Sequence, residues 1–441
     1  MLEITMNKAQ ADSRKEQEFI PNPPFKLAYT LRALRYRNFQ LFFAGQLISL
    51  VGTWMQNVAQ SWLIYRMTGS SLLLGTVGFA GQIPVFLVAP LGGIVADRYN
   101  RHRIVITTQT ASMMLALVLA WLTLTGTIAA WHIVMLSVLL GLVNAFDIPA
   151  RQSFIVEMVG KADLMNAIAL NSSMFNSARM IGPAVAGILV AIIGEGWCFF
   201  ANGISYLAVI AGLLMMRLTP VNPKTHTDST FESLLEGFRF ARNAPPIRWL
   251  LVLLALSSLV GTPYTVLMPI FAGEILHRGP QGLGILMGAA GVGALLAALA
   301  LAARTGLRGL GRWIVLACGG FGVSLVLFAF SRSFWLSVIL LVPTGYALMV
   351  QMGSTNTLLQ SMTPDHMRGR MMALYTMMFM GMAPFGALLA GGAAHRFGAP
   401  ASVAASGLLC IVAAIFYGRQ LPAFRDQARR LILAQQDRTQ P

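Results

Sequence analysis

Asp147 and Arg179 stand inside long uncharged stretches, where a carboxylate can carry a proton and a guanidinium can hold an anion. An arginine near the centre of a bilayer costs about 2.5 to 3.5 kcal/mol to insert. Arg179 is therefore expected to face a cavity or a partner, and helical spacing puts Asn176 and Pro183 on its face. Together Asp147, Arg179 and Asn176 are expected to bind a ligand or move a proton; a buried structural pair is the alternative. Gln46, Asn57, Asn144, Tyr264, Gln351 and Asn356 are further polar residues in apolar runs and cavity candidates, with interhelical hydrogen bonding as the other reading.

Other chemistry finds little support. No GxxxxGK[ST] sequence occurs, and Gly288, Gly291 and Gly293 sit in an apolar run where packing explains them better than a nucleotide. No Ser/His/Asp or paired-carboxylate grouping stands out. Six histidines and three cysteines lack metal-ligand spacing. No enzymatic activity, catalytic residue, metal or cofactor is expected, and Cys198, Cys318 and Cys410 read as lipid-buried thiols. Six methionines between Met371 and Met382 could form a pliable wall, or simply fill a core.

The elements that must hold these residues follow from composition. The 441 residues are 56% hydrophobic and 11% charged, yet 32 Lys and Arg against 16 Asp and Glu leave a charge of +16. So few charges exclude an ordinary soluble domain, and the basic residues are not gathered as a nucleic-acid surface would need. A membrane helix takes about 20 apolar residues, and twelve such stretches lie between 38 and 418. With both termini on one side, every Lys and Arg falls on that side except Arg66, Arg278, Arg332, Arg396 and the intramembrane Arg179. The positive-inside rule makes that side cytoplasmic. The expected organisation is an all-α multi-pass protein: a cytoplasmic segment 1–37, a six-helix bundle 38–216, a linker 217–246, a second six-helix bundle 247–418 and a tail 419–441. Phe231, Leu234, Leu235 and Phe238 in the linker suggest an amphipathic helix lying on the membrane or a solvated one.

The two bundles read as repeats. A shift of 204 residues aligns 141–194 with 345–398 without a gap, pairing Gly141 with Gly345, Gly182 with Gly386, Gly187 with Gly391 and Gly194 with Gly398. The same shift sets Gln351 opposite Asp147 and Ala383 opposite Arg179, so the intramembrane charge belongs to the first half alone. The pentapeptide Ser49-Leu50-Val51-Gly52-Thr53 recurs as Ser258-Leu259-Val260-Gly261-Thr262. Duplicated bundles of this kind place a substrate site between the halves.

The loop Gly93-Ile94-Val95-Ala96-Asp97-Arg98-Tyr99-Asn100-Arg101-His102-Arg103 resembles the GxxxDRxGRR signature of the major facilitator superfamily. Asn100 replaces its second glycine, a change the left-handed turn region tolerates. The resemblance implies a fold of two pseudo-symmetric bundles of six helices and a conformational latch built on Gly93, Asp97, Arg98 and Arg101. In it Asp97 pairs with an arginine at the inner end of the fourth span, here Arg151, and faces the start of the eleventh near Met371. Ala178, Gly182, Pro183, Ala186 and Gly187 resemble, with offset glycines, the GPxxGG-type motif of the antiporters, a small-residue stripe matched by Gly284 and Gly288. The stretches Asn144 to Phe154 and Asn166 to Asn171 are similar to the subgroup of bacterial enterobactin exporters and macrolide efflux proteins. That subgroup implies a monomeric inner-membrane transporter in contact with lipids and not with nucleic acid, exporting a small amphipathic siderophore or drug in exchange for protons. An importer, or a non-transporting enzyme or sensor on the same scaffold, is the alternative.

Overall fold

The computed structural model describes residues 31–160, 162–217, 230–304, 306–307 and 309–439. Lys8, Arg14, Lys15, Lys26, Lys161, Lys224 and Arg308, assigned to the cytoplasmic side from sequence, lie outside the described residues, as does the side chain of Asn176. A 3-10 turn at Arg32–Arg35 leads into α1 (Arg37–Thr68), α2 (Ser71–Arg98), α3 (Arg101–Leu124) and α4 (Ala130–Val159). The next 51 residues, Leu164–Leu214, are helical but break at Gly194, giving α5 (164–193) and α6 (195–214). A linker helix (Thr230–Asn243) precedes α7 (Pro245–Ile275), α8 (Gly279–Ala302), α9 (Leu310–Phe330), α10 (Phe334–Met362), α11 (Met367–Phe397) and α12 (Ala399–Thr439).

Among the described residues ten segments are long and apolar enough to cross a membrane; one of them is the broken α5–α6 pair, and the 32-residue α1 is more polar but long enough, so twelve helices result. Helices suit lipid because each satisfies its own backbone polar groups. Their ends are marked locally. Ser70 caps α2 by accepting from the Leu73 amide at 3.3 Å, and Asn100 caps α3 by accepting from Arg103 at 3.1 Å. Asn100 is extended (φ −64°, ψ 111°), so its place in the signature rests on capping and not on the left-handed turn expected from sequence. The fourth span runs on to Val159, which makes Arg151 helical. Pro149 removes only one backbone donor there, and membrane helices accommodate that loss.

The repeat is built into the packing. Gly194 (φ 81°) and Gly398 (φ 82°) both turn the chain between consecutive helices in a region open to glycine. Gly141 meets the Gly81 carbonyl of α2, while Gly345 meets Ala290 of α8. Gly182 packs on Trp54 of α1, and Gly386 on Leu259 and Pro263 of α7. One departure is α7, which carries π turns at Ser257–Gly261 and Phe271–Ile275 where α1 is regular. The three cysteines are buried in protein and not in lipid; the Cys318 thiol points at the Cys410 carbonyl, 3.4 Å away.

Candidate functional site

The halves meet along two glycine seams. A Cβ on Gly187 of α5 would lie 2.8 Å from the Gly284 Cα and the Pro280 carbonyl of α8. In the symmetric place, a Cβ on Gly75 of α2 would lie 2.5 Å from the Ala387 carbonyl and 2.9 Å from the Gly391 Cα of α11. Between the seams, Gly273 of α7 lies under the Tyr65 ring of α1, and Phe385 stands edge-on to Phe79 and Phe86. Among the described residues these close approaches lie in the half of the spans away from the termini. The small-residue stripe of α5 is divided: Ala178 and Gly182 pack on α1, whereas Pro183 and Gly187 face α8, and Ala186 is buried in the core.

Arg179 lies one turn before this seam, half-buried. No carboxylate among the described residues pairs with it. The cavity candidates separate. Asn57 is exposed and Asn144 half-buried, whereas Gln46, Tyr264 and Gln351 are buried. Gln351 donates to Ser257 at 2.7 Å, and Asn356 hydrogen-bonds Gln360 on its own helix at 2.6 Å. Gln351 and Asn356 thus serve contacts within the second half in this conformation.

Asp147 is enclosed within the first half. It accepts from Thr108 at 2.8 Å and Gln109 at 2.9 Å on α3, and its second oxygen pairs with Arg151 at 3.0 Å. It makes no ion pair with Arg179 in this conformation. Thr108 and Gln109 escaped notice in the sequence, although the polar run Thr107 to Thr110 in an apolar span was a signal.

At the terminal face, Asp97 pairs with Arg101 at 3.3 Å, and Arg101 reaches Glu157 at 3.0 Å and the Ala96 carbonyl at 3.0 Å. The pairing of Asp97 with Arg151 implied by the family signature is absent here, because Arg151 is held by Asp147. Arg98 is exposed, and a Cβ on Gly93 would meet nothing within 4 Å. Met371 of α11 is buried in the second half, where the linker helix docks: Glu236 pairs with Arg370 at 2.5 Å and Gly237 lies on the Arg370 side chain. Phe238 and Leu235 remain exposed beside this contact.

A family model described as transmembrane secretion effector matches residues 28–436. The staphyloferrin A transporter of Staphylococcus aureus (strain NCTC 8325 / PS 47) is 25% identical over 382 residues, 85% of this chain and 94% of that one. The multidrug efflux pump Tap of Mycolicibacterium fortuitum is 25% identical over 88% of this chain and 96% of its own. The enterobactin exporter EntS of Escherichia coli (strain K12) is 27% identical over 87% and 94%. Among solved structures, a bacterial homologue of the lysosomal transporter Spinster superposes with TM-score 0.70 over 94% of this chain at 15% identity, a likeness of fold. Fold, repeat, signature loop and family match agree: the chain belongs to the transmembrane secretion effectors of the major facilitator superfamily, and is a transporter and not an enzyme.

Proposed function

We propose that the protein is a secondary exporter that carries a small amphipathic compound, a siderophore or a drug, across a bacterial inner membrane in exchange for protons. The observation that carries this reading is Arg179, a half-buried guanidinium without a carboxylate partner among the described residues, one turn before the seam where the two halves meet. An anionic or hydrogen-bond-accepting group on the cargo would complete it. The relatives' names for siderophore and multidrug transport support the cargo class. In this reading the protein acts as a monomer, the seams close the far end of a cleft between the halves, and the basic terminal face makes its open mouth cytoplasmic, an inward-open state.

Alternating access then requires the glycine seams to part while the terminal face closes. Asp97, with Gly93, Arg98 and Arg101, would approach the start of α11 in that state. Asp147 is the proton carrier in this reading: protonation removes the charge that holds Arg151 and frees that side chain toward Asp97, four residues beyond Gly93 on the same face. Proton binding and latch closure are thereby linked through one arginine.

The test is accumulation of siderophores and drugs in cells lacking or expressing the protein, with and without a protonophore. Expression lowers accumulation, and collapse of the proton gradient restores it. Export indifferent to the gradient removes proton exchange; raised accumulation indicates import; no flux of any solute leaves the sensor or enzyme reading.

A further inference from the structure

A groove of about 560 Å3 runs between α2, α3 and α4 at the terminal face, apart from the interface of the two halves. Its walls include Val95, Ile104, Ala111, Leu142 and Phe146, with Tyr99, Asn100 and Arg103 at its mouth. From Asn100 to Ala111 along α3 the groove is about 16 Å long, the depth of one leaflet of a 30 Å hydrocarbon core. At the mouth, Arg103 and the neighbouring Arg98 are exposed, and neither is in an ion pair among the described residues. Both flank the Asn100-capped N-terminus of α3, where the helix dipole favours a negative charge. One end is cationic and at headgroup level; the rest is apolar and as deep as an acyl chain.

We propose that this groove is a binding site for one anionic phospholipid, its phosphate held by Arg103 and Arg98 and one acyl chain lying along Ile104, Ala111, Leu142 and Phe146. A zwitterionic lipid offers the same chain with a neutral headgroup, so the arginines select the anionic one. Thr108 also lines the groove, and its hydroxyl is the one that donates to Asp147. The acyl chain therefore covers Thr108, and lipid occupancy shields the Asp147 network from the side.

The full-length protein, purified in detergent with equal phosphatidylglycerol and phosphatidylcholine, is examined by native mass spectrometry. One phosphatidylglycerol is retained in preference to phosphatidylcholine. Arg103→Gln and Arg98→Gln each weaken retention about fivefold, and Arg103→Lys restores it. Ala111→Trp, which fills the groove and keeps the charges, abolishes the adduct, while Arg396→Gln at the opposite face leaves it unchanged. Thermal unfolding of every variant is followed alongside, so that a folding defect is separated from lipid loss. Equal retention of the two lipids, no adduct on the wild type, or an adduct that survives Ala111→Trp overturns the proposal.

Discussion

Asp147 and Arg179 look alike in the sequence, as charges in apolar runs, but their surroundings assign them different work. Asp147 is saturated by Thr108, Gln109 and Arg151. Removing one partner of a buried ion pair costs about 3 kcal/mol, so Arg151→Met is expected to lower the unfolding midpoint markedly as well as transport. Arg179 holds no such partner, and Arg179→Ala should leave the midpoint near that of the wild type while abolishing export of the natural cargo. Equal destabilisation by the two variants would place Arg179 in the fold and not in the site. The residue types were legible from the sequence because charge in hydrocarbon is costly wherever it stands. Their separation was not, since it depends on which way α4 and α5 are rotated about their own axes.

At the scale of elements, glycines set how closely helices approach. A methyl group on Gly187 or Gly284 would press on backbone of the opposite half, and two packed backbones do not yield as a side chain does. Gly187→Ala is expected to hold the α5–α8 seam apart and shift the population toward the state open on the far side. Gly93 is the contrary case. It lies within α2, where glycine is about 1 kcal/mol less favourable than alanine, and nothing in this state needs its missing side chain. Gly93→Ala should leave the present state intact and impede the opposite one, read as slower export with unchanged cargo affinity. A separate clamp ties the 3-10 turn to the start of α5. The Tyr36 hydroxyl at 2.7 Å, then Arg32 and Arg35 at 2.8 Å, hold the Asp163 carboxyl below its ordinary range against the cost of burial. A lowered carboxylate contributes stability above its unfolded value and loses it as pH falls through the folded one. Asp163→Asn should therefore lower the unfolding midpoint throughout about pH 5 to 8 and make no difference in strong acid.

For the whole molecule, the proposed cleft is one that the seams close at the end away from the termini. Arg179→Cys, in a chain whose own cysteines are buried, should react with a membrane-impermeant thiol reagent from the terminal face of sealed vesicles and not from the other. Adding Gly187→Ala should raise labelling from the far side. Labelling equally fast from both faces in the single variant would contradict a cleft closed at one end.

The sequence by itself determined the twelve helices, the family and the duplication. Hydrophobic length and the spacing of glycines such as Gly187 and Gly391 are local properties, and lipid leaves a helix as the available answer. It also supplied the signature loop and the two intramembrane charges. What only the tertiary structure decided was partnership. Arg151 could have met Asp97 or Asp147 by sequence, and the helical run of α4 through Pro149 to Val159 settled it for this state by stacking the i, i+4 pair on one face. Likewise Gln351, opposite Asp147 in the repeat, turned to Ser257, because helix rotation and the π turn of α7 set which polar groups can reach one another, and neither is written in hydropathy.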